Sequence, residues 1–271
     1  MKNEILTGIH DFIQNTRNTP VLKNIYRLAG KIDHAYNNPA YNNETNGEFN
    51  LLKKLSISGE QSRIIFDVGA NHLKWSERAS ELFPNSEIHA FELSQETIDK
   101  APDYILKQHP NIKVNNFGLF NKNQKIEYFY YPTFDEVNTL IGEFHKGGVK
   151  KQANVIIGDD YCKKNKINQI DFLKLDVEGS EDKVLDGFKE MIEHKKVKMI
   201  QFEYGQGNIM THFLLFDFYN LLESKGYVVG KLYPEGVYFR KYTYNDEDFV
   251  GPNFIAVLKE ETKLIEALKK F

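Results

Sequence analysis

From Arg63 onward, short branched apolar runs alternate with segments of helical spacing. RIIFDV (63–68) reads as a parallel strand buried on both faces. EIHAFEL (87–93), IKVNNFGLF (112–120), DFLKLDV (171–177), VKMIQFEYG (197–205), YVVGKLY (227–233) and NFIAVLKE (253–260) repeat the pattern. Between them lie helical stretches, one disturbed at Pro102 and one closed by Gly226. This order predicts an α/β fold with a doubly wound, seven-stranded, Rossmann-like sheet. The aromatic run KIEYFYYP (125–132) adds an extra strand or hairpin arm. A second aromatic, hairpin-like insert separates the last two strands.

Doubly wound sheets bind ligands at the carboxyl ends of their strands, beside the point where strand order reverses. Those ends carry Asp67, Glu92, Asn116, Asp176 and Glu203. Residues scattered along the chain are thereby predicted to line one edge.

Residues before Arg63 carry apolar side chains at helical spacing, with Pro20 where a helix can begin. Residues 1–60 are read as an N-terminal helical cap that packs on the core, covers a cleft or forms a homodimer, with 61–271 as the main domain. A formal charge of -3 gives no reason to expect a nucleic acid polymer as partner. Cys162 is the single cysteine, which excludes an intramolecular disulfide and suits a reducing compartment. No apolar run approaches a membrane span and no signal peptide is evident, so the expectation is a cytoplasmic protein without membrane insertion.

The first strand runs into DVGANHLKWSE (67–77). Gly69 permits a sharp turn and close approach of a ligand, and Ser76 is placed to cap the next helix. Glu92 ends the second strand, where a carboxylate accepts both hydroxyls of a ribose. The G-x-G-x-x-G pattern is absent, which opposes a dinucleotide more than a nucleoside without phosphates. In IDFLKLDVEGSEDKVLDG (170–187), Asp176 and Glu178 stand at a strand end, where Gly179 turns the chain and Ser180 can cap a helix. The pair suits a hydroxyl, an ammonium group or a metal, or else a capping arrangement.

FDVGAN (66–71), Ser76, FE (91–92), VKMIQFE, NFIAVLK and above all IDFLKLDVEGSEDKVLDG resemble the FkbM family of S-adenosylmethionine-dependent methyltransferases over roughly residues 63–258. The resemblance implies a class I methyltransferase sheet with S-adenosyl-L-methionine as cofactor. It implies that Asp67, Gly69 and Asn71 hold the methionine portion, with Ser76 also among the cofactor-binding residues. It also implies Glu92 on the ribose, Leu93 and Asn116-Phe117 beside the adenine, and Asp176 near the ammonium and sulfonium. The family pattern has a second glycine where this chain has Leu73.

Methyl transfer to an alcohol benefits from a general base, for which Asp176, Glu203, His145 and His212 are the candidates. Glu178, Glu203 and Tyr204 are candidates to bind the acceptor. Lys146 and Lys150, with Lys151, flank a glycine pair suited to the phosphates of a nucleotide sugar, or form a solvated loop. Oxygen ligands at Asp176, Glu178 and Glu203 suit magnesium, but no metal is assigned. The resemblance implies O-methylation of a small-molecule or glycan acceptor, with a sugar in bacterial surface (capsular) polysaccharide synthesis preferred. The alternatives are a catalytically silent binding protein on the same fold, favoured by Leu73, and a dinucleotide-dependent oxidoreductase.

Overall fold

The computed structural model describes residues 2–59, 62–133, 138–140, 142 and 146–270. The chain parts into two compact units, Met1–Pro39 and Ala40–Phe271. In the first, α1 (Lys2–Thr16) is followed by α2 (Pro20–Tyr36). Thr19 caps α2 through a hydrogen bond from Leu22 N, and Pro20 takes the first turn. The division falls at Pro39–Ala40, so the helix Glu48–Ile57 (α3) belongs to the second unit.

The second unit is built on β1 (Ile64–Val68), β2 (Glu87–Phe91), β3 (Ile112–Asn115), β4 (Gly118–Phe120), β5 (Gln124–Tyr130), β6 (Val149–Ile157), β7 (Ile170–Leu175), β8 (Val197–Glu203), β9 (Tyr227–Tyr233), β10 (Gly236–Phe239) and β11 (Asn253–Leu258). Its main sheet has the order β10-β9-β11-β8-β7-β1-β2-β3. Strands β8, β7, β1, β2 and β3 are mutually parallel, while β11 runs antiparallel to both β8 and β9. The sheet has eight strands where the sequence predicts seven, because the aromatic insert folds back as β10, a hairpin partner of β9.

Period-two alternation assigns each strand residue to a face. Phe66, Val68, Leu173, Leu175, Ile200 and Phe202 point into one core cluster, which the helices Gly158–Asn165 (α7), Glu181–Gly187 (α8), Lys189–Glu193 (α9) and Leu215–Ser224 (α11) cover. Ile65, Phe172, Met199 and Ile255 point into the other cluster. That face is covered by α3, the helix Lys74–Leu82 (α4) and the helix Thr262–Leu268 (α12). Polar side chains share the second face near its carboxyl edge: Asp67, Lys174 and Gln201 are all buried there.

Three further sequence readings change. The helix around Pro102 is two short helices, Gln95–Ile98 (α5) and Asp103–Gln108 (α6), as expected of a residue that cannot continue a helix. IKVNNFGLF is not one strand. Asn116 donates its amide to Glu92 O and Leu93 O, which turns the chain after β3. The following β4 joins a separate sheet of order β4-β6-β5. The stretch read as a lysine loop is largely strand: Lys150 and Lys151 lie in β6, paired with β5.

Candidate active site

The strand order reverses between β1 and β7, whose ends Val68 and Leu175 are register partners. A cavity of about 910 Å³ opens there. It is the size of a small-molecule site. Gly69 has φ +84, and a Cβ at this position would sit 1.7 Å from the carbonyl oxygen of Asp176. The glycine is therefore required by the approach of the β7 loop. Gly69 N and Ala70 N both donate to Phe91 O, which ties the β1 loop to the end of β2.

Three residues of this loop have positive φ: Gly69, Asn71 and Leu73. Asn71 suits the left-handed region, and its Oδ1 accepts from His72 N at 2.7 Å. Leu73, with φ 63, has no side-chain reason to be there. Its side chain is fully buried, in the core cluster that holds Ala70 and Trp75, and is not among the residues lining the cavity. Burying a leucine contributes about 1.5–3 kcal/mol, which offsets the roughly 1–2 kcal/mol of left-handed strain. Leu73→Gly is expected to lower unfolding free energy by about 1–3 kcal/mol, as lost packing exceeds relieved strain. Cofactor affinity should stay unchanged; a marked rise in affinity would place Leu73 in the site after all.

Glu92 bridges two loops: Oε2 accepts from Asn71 N at 3.1 Å and Oε1 from Ser94 N at 2.9 Å. Glu92 lines the cavity from this position. Leu93, Leu119, Ile126 and Val155 supply an apolar wall on this side.

Asp67 lies behind the wall, 0% exposed. Ser76 donates to Asp67 Oδ2 at 2.7 Å, so it holds this carboxylate and does not cap α4, whose N-cap is Leu73. Lys174 Nζ joins Asp67 (3.3 Å) to Asp176 (2.9 Å). It also sits 5.7 Å from the ring centroid of Trp75. Burial alone would lower the pKa of Lys174, but Asp176, Asp67 and Glu48 outweigh it and hold the ammonium well above its ordinary range. Burial raises the Asp67 carboxyl, against the pull of Lys174 and Ser76.

At the opposite end, carboxylate oxygens of Asp176, Glu178 and Glu203 lie within 4.8 Å of one another. Burial, then the charges of Glu178 and Asp176, push Glu203 well above the usual carboxylate range. Glu181 accepts Val177 N (2.9 Å) and Gly179 N (3.3 Å) on Oε1, which fixes the loop that carries Glu178. Burial raises Glu181 to about 7. The folded chain thus holds this proton up to about pH 7, whereas the unfolded chain loses it near the ordinary value of 4.5. Raising pH across that window removes stability, on the order of 3 kcal/mol. Glu181→Gln should lack this component, so its stability relative to wild type should rise between pH 4.5 and 7 in urea titrations. Parallel pH profiles would contradict the assignment.

Other predicted residues fall elsewhere. Leu93, Glu178 and Glu203 line the cavity with Gly69, Asn71, Glu92 and Asp176; Asn116 and Phe117 do not, and Gly118 and Leu119 take their place. Phe117 packs against the core beside Phe91 and Tyr161. Tyr204 is buried, donates to Glu247 Oε2 at 2.6 Å and stacks on Phe249, away from the cavity. His212 is exposed after the short helix Gly207–Thr211 (α10) and does not line the cavity. Lys150 pairs with Glu127, and Lys146 is exposed outside the lining. His145 lies outside the described residues.

The sequence reading passed over Lys174, Glu181, Tyr41 and Glu48. Lys174 had a signal: a lysine inside an apolar strand, two positions before Asp176, shares that residue's side of the strand. Tyr41 and Glu48 lie in the polar stretch NNPAYNNETNGE (37–48), which carries no such signal. Yet Tyr41 lines the cavity at its acidic end, where desolvation and then Glu203, Glu178 and Asp176 push its phenol to about 12. Glu48 is buried and accepts from Asn46 (2.7 Å), Gln201 (2.8 Å) and Asn253 (3.0 Å), a network that anchors the start of α3 beside the cavity.

A family model described as the methyltransferase FkbM domain matches residues 67–229, more than half of the 271-residue chain. The chain belongs to the FkbM methyltransferase family. The match runs from Asp67 into β9 and so takes in Glu92, Asp176, Glu178 and Glu203. Among solved structures, the chain is similar to a methyltransferase FkbM from Methylobacillus flagellatus KT, at 16% identity and a TM-score of 0.47, over 72% of this chain and 44% of that one. The chain therefore spans less than half the length of that relative. It is also similar to a precorrin-6y C5,15-methyltransferase from Geobacter metallireducens GS-15, at 16% identity and a TM-score of 0.41, over 77% and 85% of the two chains. A third is the O-methyltransferase TomG from Streptomyces achromogenes, involved in tomaymycin synthesis and solved with SAM, at 9% identity and a TM-score of 0.42, over 78% of each chain. No curated protein matches the chain.

Proposed function

We propose that the protein is an S-adenosylmethionine-dependent O-methyltransferase that acts on a sugar hydroxyl, either of a nucleotide-activated sugar or of a polysaccharide in bacterial surface glycan assembly. The observation that carries this reading is the two-ended cavity at the strand reversal. One end pairs an apolar wall with Glu92, which fits an adenosine and its vicinal hydroxyls. The other gathers Asp176, Glu178, Glu181 and Glu203, with Lys174 as the buried cation paired to Asp67 and Asp176. This surplus of carboxylate fits a ligand with a cationic amino-acid end. When bound, the cofactor supplies an electrophilic methyl group.

The chain's own residues do the rest. Glu92 fixes the ribose, and the Gly69–Asn71 turn bounds the amino-acid end. Lys174 donates to Asp176 Oδ2 at 2.9 Å and holds that carboxylate at the strand end. Glu203 accepts the proton of the acceptor hydroxyl; its raised pKa brings its proton affinity closer to that of a useful base at neutral pH. Tyr41 and the Gly205–Asn208 turn line the acceptor side, where their polar groups can pair with several hydroxyls. Leu73, the residue that favoured a silent binding protein, is buried in the core outside the cavity lining, which supports the enzyme reading over that one.

The test is to incubate the protein with S-adenosylmethionine and a panel of nucleotide sugars and oligosaccharides, then to map the product by mass spectrometry. A methyl ether on a sugar oxygen is the expected product. Transfer to nitrogen or carbon alone, from an enzyme active on other acceptors, would overturn the substrate class.

A further inference from the structure

The first unit buries almost none of its apolar surface. Half of the exposed large apolar side chains among the described residues fall between Ile5 and Tyr36, each 47–80% exposed. On α1 they include Ile5, Ile9 and Phe12. On α2, Val21, Ile25, Leu28 and Ile32 recur at spacings of four and three, which is a single stripe down the helix. Surface of this density on a water-soluble chain marks an interaction site.

The other side of α2 is basic. Lys23, Arg27 and Lys31 follow one another at intervals of four, with Asp33 as the only acid on the helix. Residues 1–39 carry five Lys and Arg against three Asp and Glu, a net +2 within a chain of net -3, which leaves -5 on the remainder. The cationic surplus is thus concentrated on the unit that displays the apolar stripe.

We propose that α1 and α2 form an anchor that lies flat on an anionic lipid surface, with the apolar stripe at the acyl boundary and Lys23, Arg27 and Lys31 among the headgroups. An amphipathic helix with a basic polar face is the form such anchors take. Neither helix is long and apolar enough to cross a membrane, so the contact is interfacial. The first unit of a second copy, seated on the stripe, would cover it, but would bring another +2 to the row of cations. An anionic bilayer satisfies both faces at once. The proposal stands independently of which acceptor the enzyme methylates.

The test is flotation of the full chain with vesicles of phosphatidylcholine, with and without phosphatidylglycerol. Binding should be at least about tenfold tighter to the anionic vesicles and should weaken with added salt. The double variant Ile25→Glu, Ile32→Glu and the triple variant Lys23→Gln, Arg27→Gln, Lys31→Gln should each lose that binding while thermal unfolding is unchanged, because α2 has no buried residues. Equal binding to both vesicle types, or retention by either variant, would overturn the proposal. Failure to bind vesicles alongside a dimer that Ile25→Glu, Ile32→Glu dissociates would overturn it in favour of self-association.

Discussion

Glu203→Gln is expected to lower kcat by about 10²–10³-fold while S-adenosylmethionine affinity shifts by less than about threefold. The amide keeps the size and most of the hydrogen bonding of the carboxylate but cannot take a proton. Glu203 is the carboxylate at the end of β8 where burial and two like charges disfavour ionisation, so a proton accepted there is held better than on an ordinary glutamate. The rate should therefore rise with pH through the raised pKa of Glu203 in wild type, and this limb should vanish in the variant. The same loss of kcat with an unaltered pH profile of the residual rate would assign Glu203 to acceptor binding alone. A loss smaller than about threefold would leave Asp176 as the base in the described cavity.

Lys174→Met should be the most destabilising single change near the site. The lysine side chain is 3% exposed and pairs with two carboxylates, one of them with a wholly buried side chain. Methionine fits the same volume but leaves Asp67 facing Asp176 without a cation. Breaking a buried ion pair from one side costs about 3–5 kcal/mol. The Asp67→Asn, Lys174→Met double variant should recover part of that loss, since the uncompensated charge is gone. Chemical denaturation of the three proteins checks this. Equal stability of the single and double variants would mean that Asp67 takes its proton at no cost, and that Lys174 matters only for packing against Trp75.

The alternation of strand and helix made the layered sheet legible, because parallel strands covered on both faces leave a continuous apolar signature. The cavity edge followed from topology: Asp67, Glu92, Asp176 and Glu203 do end parallel strands beside the order reversal. Which of them face the ligand was not legible. Asp67 sits on the strand face that α4 covers, so Ser76 and Lys174 claim it. Tyr204 follows Glu203 directly and turns the other way, as adjacent residues at a strand end do. The break of IKVNNFGLF depends on Asn116 reaching carbonyls of another loop, a contact that no local propensity encodes. The contribution of Tyr41 and Glu48 is equally non-local: it rests on α3 docking beside β11 and β8 through Asn253 and Gln201.

Leu73 illustrates how a departure from a family pattern can be read two ways. As a sequence letter it suggests an obstructed cofactor loop. In the fold it is a left-handed residue, a conformation glycine adopts without strain, and its side chain turns into the core.

This cavity is expected to bind S-adenosylmethionine. Isothermal titration of the full chain with S-adenosylmethionine and, separately, NAD tests it most directly. The expected result is micromolar S-adenosylmethionine binding, about tenfold or more weaker in Glu92→Ala, and no signal with NAD. Folded protein that binds neither ligand, or NAD in preference, would contradict it.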